Sequence, residues 1–455
     1  MRGLEVDFKF HNVGQGLFYT GRLKYGRAFF NFVYDCGAWE WGKDDYYTNL
    51  VKNAIRGEFS KYDTIDLLII SHLHADHTNG IPYLLNRVKE VDTVILPYLT
   101  PIERLIVALE TPVASREFYN FLADPVMFLL DHGAKRVILV GGEEPSREEY
   151  WRSPTEGYPE EGASFDIRID MPDVNIDRIP EDLKSEYGED ILQSLIKNGR
   201  LLIKEHRRRI LVLLNGMPVW LFRLFNCKVS PTKLSDFKNC VRDVLKGGSI
   251  KEAIKNRSIH RKLKKCYTKL TKGLNETSLM VLHFPLFDPK TDFLLVSSNS
   301  TLCDRLDILL QKRQKSRYYL IQAHQTHNAF HYKGVWESKL GMELSQFLTG
   351  DINMKNKYGE IRAHFGLGSI VKKTAVTLVP HHCSEKSWLD IDINNPCPLH
   401  RDISSRFWIV SAGIHNRHGH PSPLVCWDIS NHCPDYCVVW VNETTYFRLM
   451  GTLQF

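Results

Sequence analysis

SHLHADHTNG, residues 71–80, places His72, His74, Asp76 and His77 within six positions, directly after the apolar run DLLII at 66–70. Neutral imidazole and carboxylate are the usual ligands of zinc and related borderline cations. Alternate residues of an extended segment project to the same side, so His72 and His74 can reach one ion together. Asp76 and His77, at the turn beyond, then face a second. A lone histidine at a strand end is commonly structural. Four such residues in H-x-H-x-D-H order have metal-ligand spacing, and the rest of the chain is read outward from them.

On the N-terminal side, VDFKFHNV, LFYTGRL and AFFNFVYDCG are apolar runs rich in Phe, Tyr and Val, punctuated by Gly and Asn, which is the pattern of strands and turns. A helix is predicted around YYTNLVKNAIRGEF and a strand over TIDLLIIS. Beyond the histidines IPYLLNRVKEV has helical spacing and TVILPYL reads as a strand, the alternation of an α/β architecture. Strand signals return from about residue 272 in SLMVLHF, DFLLVSS, RYYLIQA, QFLTGD, AVTLVPHH, RFWIVSAG and YCVVWV. Residues 111–271 read differently, as an inserted, acidic-then-basic, mainly helical subdomain between two halves, 1–110 and 272–455, of one domain. Within it VASREFYNFLADPVMFLLDHG is a helix candidate and AKRVILVGG a strand. A Pro-, Glu- and Gly-rich surface excursion then runs to about residue 190, and helices are predicted in SDFKNCVRDVLKG, SIKEAIKN and HRKLKKCYTKLTKG.

The 455 residues exceed the usual size of one core, and 43% hydrophobic with 25% charged residues is ordinary for a globular chain. No apolar run approaches the roughly 20 residues that span a bilayer, and MRGLEVDFKF lacks a signal-peptide h-region, so the expectation is a cytoplasmic protein without membrane association. Ten scattered cysteines fit reduced thiols better than a disulfide framework. Cys426, Cys433 and Cys437 of CWDISNHCPDYC lack a second CxxC half and read as buried free thiols rather than a zinc site. The net charge of +6 hides an asymmetry: Lys197 to Lys272 holds 21 Lys and Arg against four acids, a net of +17 that leaves −11 for the remainder. Such a block suits a polyanionic partner, or else a solvated helical face.

The H-x-H-x-D-H stretch resembles the signature of the metallo-β-lactamase fold superfamily. Five motifs in order, HNVGQGLF, NETSLMVL, LTGD, HHCS and GHPSP, resemble in particular the metallo-β-lactamase domain of the bacterial DNA-uptake competence protein. The resemblance covers about residues 5–100 and 272–430 and implies a four-layer αββα sandwich, here with the basic, largely helical segment inserted. It implies that Asp35 of VYDCG orients the ligand loop and that Asp351 of QFLTGD bridges two ions. It also brings His381 and His382 of VPHHCS, and His418 and His420 of IVSAGIHNRHGHPSP, to the site. Asn12 and Leu17 stand where the subgroup has acids, and Cys383 stands where it has glycine. QAHQTHNAFH, with His324, His327 and His331, falls in an extra stretch before LTGD. It reads as a second small insertion, with an additional ligand as the other reading.

The expected centre holds two divalent ions, zinc or else manganese, with His72, His74 and His382 on one, Asp76 and His77 on the other, and Asp351 between them. Two such ions suit in-line displacement at phosphorus. Asp76, His381 and His420 are the candidate catalytic residues, Asp35 and His418 support them, and Lys386 can add positive charge. The expected activity is phosphodiester hydrolysis, most specifically of DNA or RNA, in a bacterial nuclease. Arg207, Arg208, Arg209, Arg261, Lys262, Lys264 and Lys265 would contact the backbone of the nucleic acid and Tyr267 would stack on bases, whereas Trp220 and Phe222 read better as core. Two other readings remain open: a hydrolase of small phosphoesters, and a component of a multiprotein assembly, such as a defence complex, whose insertion docks an acidic protein partner.

Overall fold

In the computed structural model, which describes residues 3–39, 46–111, 114–141, 162–170, 179–204, 209–227, 234–267, 278–286, 290–298, 330–334, 344–391, 397–414, 416, 418–432 and 437–454, the segment Thr64–Ile69 is a strand, β4, buried on both faces. Ile65, Leu68 and Ile70 pack against helices, while Leu67 and Ile69 face a second sheet. That double burial explains why DLLII shows no polar alternation.

In spatial order the first sheet runs β13 (Phe330–Gly334), β12 (Lys290–Ser298), β18 (Phe447–Gln454), β1 (Leu4–Phe10), β2 (Gly16–Tyr25), β3 (Ala28–Ala38), β4, β5 (Glu90–Pro97), β6 (Ala134–Val140) and β8 (Leu201–Lys204). From β3 to β8 the pairing is parallel. The second sheet runs β17 (Cys437–Val441), β16 (Ser404–Ser411), β15 (Lys373–Leu378), β14 (Gln346–Leu348), β11 (Met280–Pro285), β10 (Met217–Phe225), β9 (Arg209–Leu214) and β7 (Phe165–Asp170). Phe8, Phe30 and Phe32 of the first sheet meet Trp220, Phe222 and Val281 of the second in a shared core. The Phe32 and Phe222 rings stand edge to face with centroids 4.8 Å apart, a favoured aromatic geometry. Trp220 and Phe222 are fully buried there, in keeping with their reading as core.

Helices cover both outer faces. Tyr46–Glu58, Ile81–Arg87, Pro101–Glu110, Arg116–Ala123 and Pro125–Asp131 cover the first sheet, and Ser235–Leu245, Ile250–Lys255 and Arg257–Tyr267 join the same core through helices Pro101–Glu110 and Arg116–Ala123. Met354–Phe365, Pro398–Asp402 and Pro423–His432 pack on the second. The chain is thus an α/β sandwich of two mixed sheets. Among the described residues no helix is long and apolar enough to cross a membrane.

The segment 111–271 differs from the helical insertion expected. Its helices over 235–267 form as predicted, but β6 and β8 extend the first sheet and β7, β9 and β10 extend the second. Continuous apolar runs such as RILVLL and VWLFRLF need a sheet partner on each edge and cover on each face, and β11 supplies an edge for β10. The surface excursion before residue 190 lies largely outside the described residues, although Phe165–Asp170 forms the edge strand β7. The helix predicted over VASREFYNFLADPVMFLLDHG is two, because Pro125 starts a new one that Asp124 caps through a 3.2 Å bond from the Met127 amide. One pair of thiols also departs from expectation. Cys240 and Cys266, on facing helices with Cα atoms 5.5 Å apart, form a disulfide, whereas Cys36, Cys227, Cys383, Cys397 and Cys426 remain thiols. Cys433 lies outside the described residues.

The turn Ala75–Thr78 lies directly on β3, where a Cβ added to Gly37 would stand 2.5 Å from the Thr78 nitrogen and 2.6 Å from the Asp76 and His77 carbonyl carbons. No flexible side-chain end is there to yield. Gly37→Ala should therefore lower the unfolding free energy by about 1–3 kcal/mol, measured by urea denaturation. An unchanged midpoint would mean that the turn tolerates displacement.

Candidate metal centre

Ligand-type side chains converge from the ends of strands in both sheets. β4 leads into Ser71, His72 and the turn Ala75–Thr78; β14 ends at Thr349, Gly350 and Asp351; β15 leads to His381 and His382. Asp351 and His382, far along the chain from His72, therefore stand beside the quartet. His77 Nε2 is 3.3 Å from Asp351 Oδ1 and 3.4 Å from His382 Nε2, and His382 Nε2 is 3.2 Å from Asp76 Oδ2. His72 Nε2 lies 3.5 Å from Asp351 Oδ2. His72, Asp76, His77, Asp351 and His382 are all buried, and His74 is half-buried.

Three overlapping ligand groups result: His72 with Asp76 and His77, His72 with His74 and Asp351, and His77 with Asp351 and His382. Any of them can hold a metal ion. His382 stands beside Asp76 and His77, and the described group that contains it is His77, Asp351 and His382.

Each imidazole is held by one nitrogen, and those of His72, His77, His381 and His382 turn Nε2 towards Asp351 or Asp76. Asp35, fully buried, accepts from the Ser71 amide and hydroxyl, each at 2.6 Å, and pairs with His77 Nδ1 at 2.7 Å, which is the orienting position expected of it. His72 Nδ1 meets the Ser71 hydroxyl at 2.9 Å. His382 Nδ1 donates to the Ser411 carbonyl at 2.6 Å, and His381 Nδ1 meets the Ser387 hydroxyl at 2.7 Å. His74 Nε2 pairs with Glu110 Oε2 at 2.8 Å, which leaves Nδ1 for a cation. Partners of this kind fix tautomer and ring orientation at metal sites.

Two buried atoms inside the cluster, His72 Nε2 and Asp76 Oδ1, have no hydrogen-bond partner among the described residues. Buried polar atoms are rarely left so. Burial, then the adjacent His77, holds the His72 imidazole well below the usual histidine range, so it is a neutral donor of a lone pair. Burial opposes ionisation of Asp76 and Asp351, but the surrounding imidazoles, His77 and His382 for Asp76 and His381 and His382 for Asp351, keep both below the usual carboxylate range. The neutral His72 ring, the ionised carboxylates and the two orphaned atoms fit a cation.

His381 Nε2 is 3.7 Å from Asp351 Oδ2, at the rim of the cluster. The His420 ring centroid is 5.8 Å from that of His381 and 6.4 Å from that of His382. Burial, with His382, His381 and His418 adding to it, pushes the His420 imidazole down to about 3, so it is a neutral hydrogen-bonding group at this rim. His418 is exposed and stacks on His420, and Lys386 is exposed on the loop beyond His382. Cys383 occupies the glycine position of the resembled motif with φ +65°, and His381 and His382 share that left-handed backbone at +50° and +52°. Leu17 is buried between the sheets and Asn12 donates to the Glu443 carbonyl.

Of the expected nucleic-acid contacts, Arg261, Lys262, Lys264 and Lys265 are exposed on the helix Arg257–Tyr267, whose Leu263 and Cys266 are buried. Arg209 begins β9; Arg207 and Arg208 lie outside the described residues, as do His324 and His327. His331 belongs to the edge strand β13, six strands from β4 in the same sheet. Sequence reasoning missed Glu110, Ser71, Ser387, Ser411 and Asn416. Asn416 accepts at its Oδ1 from the amides of His418 and His420, each at 3.0 Å, and so shapes the GHP loop. Ser71, Ser411 and Asn416 sit within the motifs that drew attention. Glu110 ends an amphipathic helix with no local metal signature.

No family model matches the chain, and no curated protein matches it.

Glu110→Gln should weaken metal affinity by about 10–100-fold with the fold retained, measured by chelator competition. Affinity equal to that of the unaltered chain would show that His74 needs no support from Glu110.

Proposed function

We propose that this chain is a metal-dependent phosphodiesterase of the metallo-β-lactamase fold that acts on nucleic acid, with two zinc ions held by His72, His74, Asp76, His77, Asp351 and His382. The observation that carries the nucleic-acid reading is a short connection. Tyr267, at the end of the helix exposing Arg261, Lys262, Lys264 and Lys265, donates to Glu110 Oε1 at 2.9 Å, and Glu110 Oε2 pairs with His74. A surface able to bind phosphates thus ends one side chain away from a candidate ligand. The disulfide at Cys266 and the buried Leu263 fasten that helix to the body.

When bound, the ions would supply Lewis acidity to a phosphoryl oxygen and bring the pKa of water towards neutrality. The chain's own residues supply placement. Asp35, Ser71, Glu110 and the Ser411 carbonyl hold the ligand imidazoles in register before substrate arrives. His381, tethered through Nδ1, presents Nε2 at the rim and can donate to a non-bridging phosphoryl oxygen. His420, beside it, can hydrogen-bond to the leaving oxygen. The Lys and Arg side chains of the helix bind backbone phosphates and release counterions, which adds affinity without choosing a sequence.

Asp76→Ala should abolish hydrolysis of both a labelled oligonucleotide and a small chromogenic phosphodiester, and should lower bound metal by mass spectrometry. Full turnover in that variant would displace the centre from this cluster.

Changing Arg261, Lys262, Lys264 and Lys265 together to Glu should raise KM for an oligonucleotide at least tenfold and spare the small phosphodiester. The dependence of log affinity on log salt should flatten by roughly 0.9 for each cation that had met a phosphate of duplex DNA. Unchanged oligonucleotide turnover and salt slope would assign the chain to small phosphoesters instead.

A further inference from the structure

On the helical layer outside the second sheet, a separate group of ligand-type side chains surrounds Asp428. Its carboxylate is fully buried, and its ion-pair partners among the described residues are both histidines. His400 Nε2 stands 3.1 Å from Oδ2, and His432 Nδ1 stands 2.9 Å from Oδ1. Trp388 Nε1 donates to Oδ2 at 2.9 Å. Cys397, a buried free thiol, completes the group, and donor atoms of Cys397, His400 and Asp428 all lie within 4.8 Å of one another.

We propose that Cys397, His400, Asp428 and His432 form a second, structural zinc site that ties the helix Pro398–Asp402 to the helix Pro423–His432. Four observations favour it over a metal-free polar network. The residues come as two short-range pairs, Cys397 with His400 and Asp428 with His432, the three- and four-residue spacings that place donors on one face of a helical turn. Sulfur, imidazole and carboxylate are all donors that zinc takes; those of Cys397, His400 and Asp428 lie within 4.8 Å of one another, and His432 Nδ1 stands 2.9 Å from Asp428 Oδ1. A fully buried carboxylate faced by histidines gains its counter-charge directly from a divalent ion. Finally, the Trp388 donor to Asp428 stands where the outer partner of a metal-bound carboxylate is found.

The site has a structural consequence. The helix Pro398–Asp402 leads into β16, whose end supplies the Ser411 carbonyl to His382, and the helix Pro423–His432 follows the loop that carries His420. A cation joining the two helices would pin both ends of the segment that frames the first cluster. It requires no hydrolytic activity, so it stands or falls apart from the function proposed above.

Cobalt distinguishes the two clusters, because among the described groups this one alone contains cysteine. The full-length Asp76→Ala/Asp351→Ala protein, which breaks all three ligand groups of the first cluster, stripped and reloaded with Co2+, should keep one tightly held equivalent and show a sulfur-to-cobalt charge-transfer band in the near ultraviolet. Adding Cys397→Ser should remove the band, and adding His400→Ala should remove the retained equivalent. X-ray absorption on the unaltered, zinc-saturated protein provides a check that needs no variant to fold: a sulfur scatterer at about 2.3 Å is expected. A nitrogen-and-oxygen shell alone, or a band that survives Cys397→Ser, would overturn the proposal.

Discussion

The imidazoles of the cluster are each fixed by one ring nitrogen, and that constraint governs the rest of the site. A carboxylate holds His77, hydroxyls hold His72 and His381, a main-chain carbonyl holds His382 and the Glu110 carboxylate holds His74. With one nitrogen spoken for, the tautomer and the direction of the other are settled together. Without these outer partners five flexible rings would have to be ordered by the cation itself, at an entropic cost for each. The arrangement is therefore prepared in advance, and the helices and strands that deliver the outer partners matter as much as the ligands.

Those partners come from both sheets. Asp35 and Ser71 belong to the ends of β3 and β4, while the Ser411 carbonyl ends β16 and Asp351 follows β14. The aromatic core between the sheets, with Phe32 against Phe222 and Trp220 donating to His283, sets the distance across which they meet. A core substitution far from the cluster that changes this spacing would move Asp351 relative to His77, although it touches neither.

Much of this was legible in the sequence. The H-x-H-x-D-H stretch, Asp35, Asp351 and the His381–His382 pair all carry a local signature at a strand end, and the structure brings them together. Three things were not legible. Pairing partners of strands such as β9 and β10 depend on contacts distant in sequence, so a segment flanked by basic helices read as an insertion although its strands belong to both sheets. The neighbours of His382 depend on a turn whose backbone is left-handed at non-glycine residues, which no propensity announces. Asp428 and His432 lay inside CWDISNHCPDYC, where attention fell on the cysteines; their partners Cys397 and His400 are close only in the fold.

The left-handed run at His381, His382 and Cys383 bears on how the molecule persists. Each such residue costs on the order of 1–3 kcal/mol by itself, and the run is held by bonds from the His381 amide to the Gly350 carbonyl and from His382 Nδ1 to Ser411. Gly350 follows β14 and Ser411 ends β16, the two strands that flank β15, so the turn closes only once β14, β15 and β16 are aligned. An ion that needs His382 then recognises only the finished molecule. Every tenfold excess of free ion over its dissociation constant adds about 1.4 kcal/mol against unfolding. Wherever the cluster holds an ion, metal supply would thereby bear on the lifetime of the folded chain.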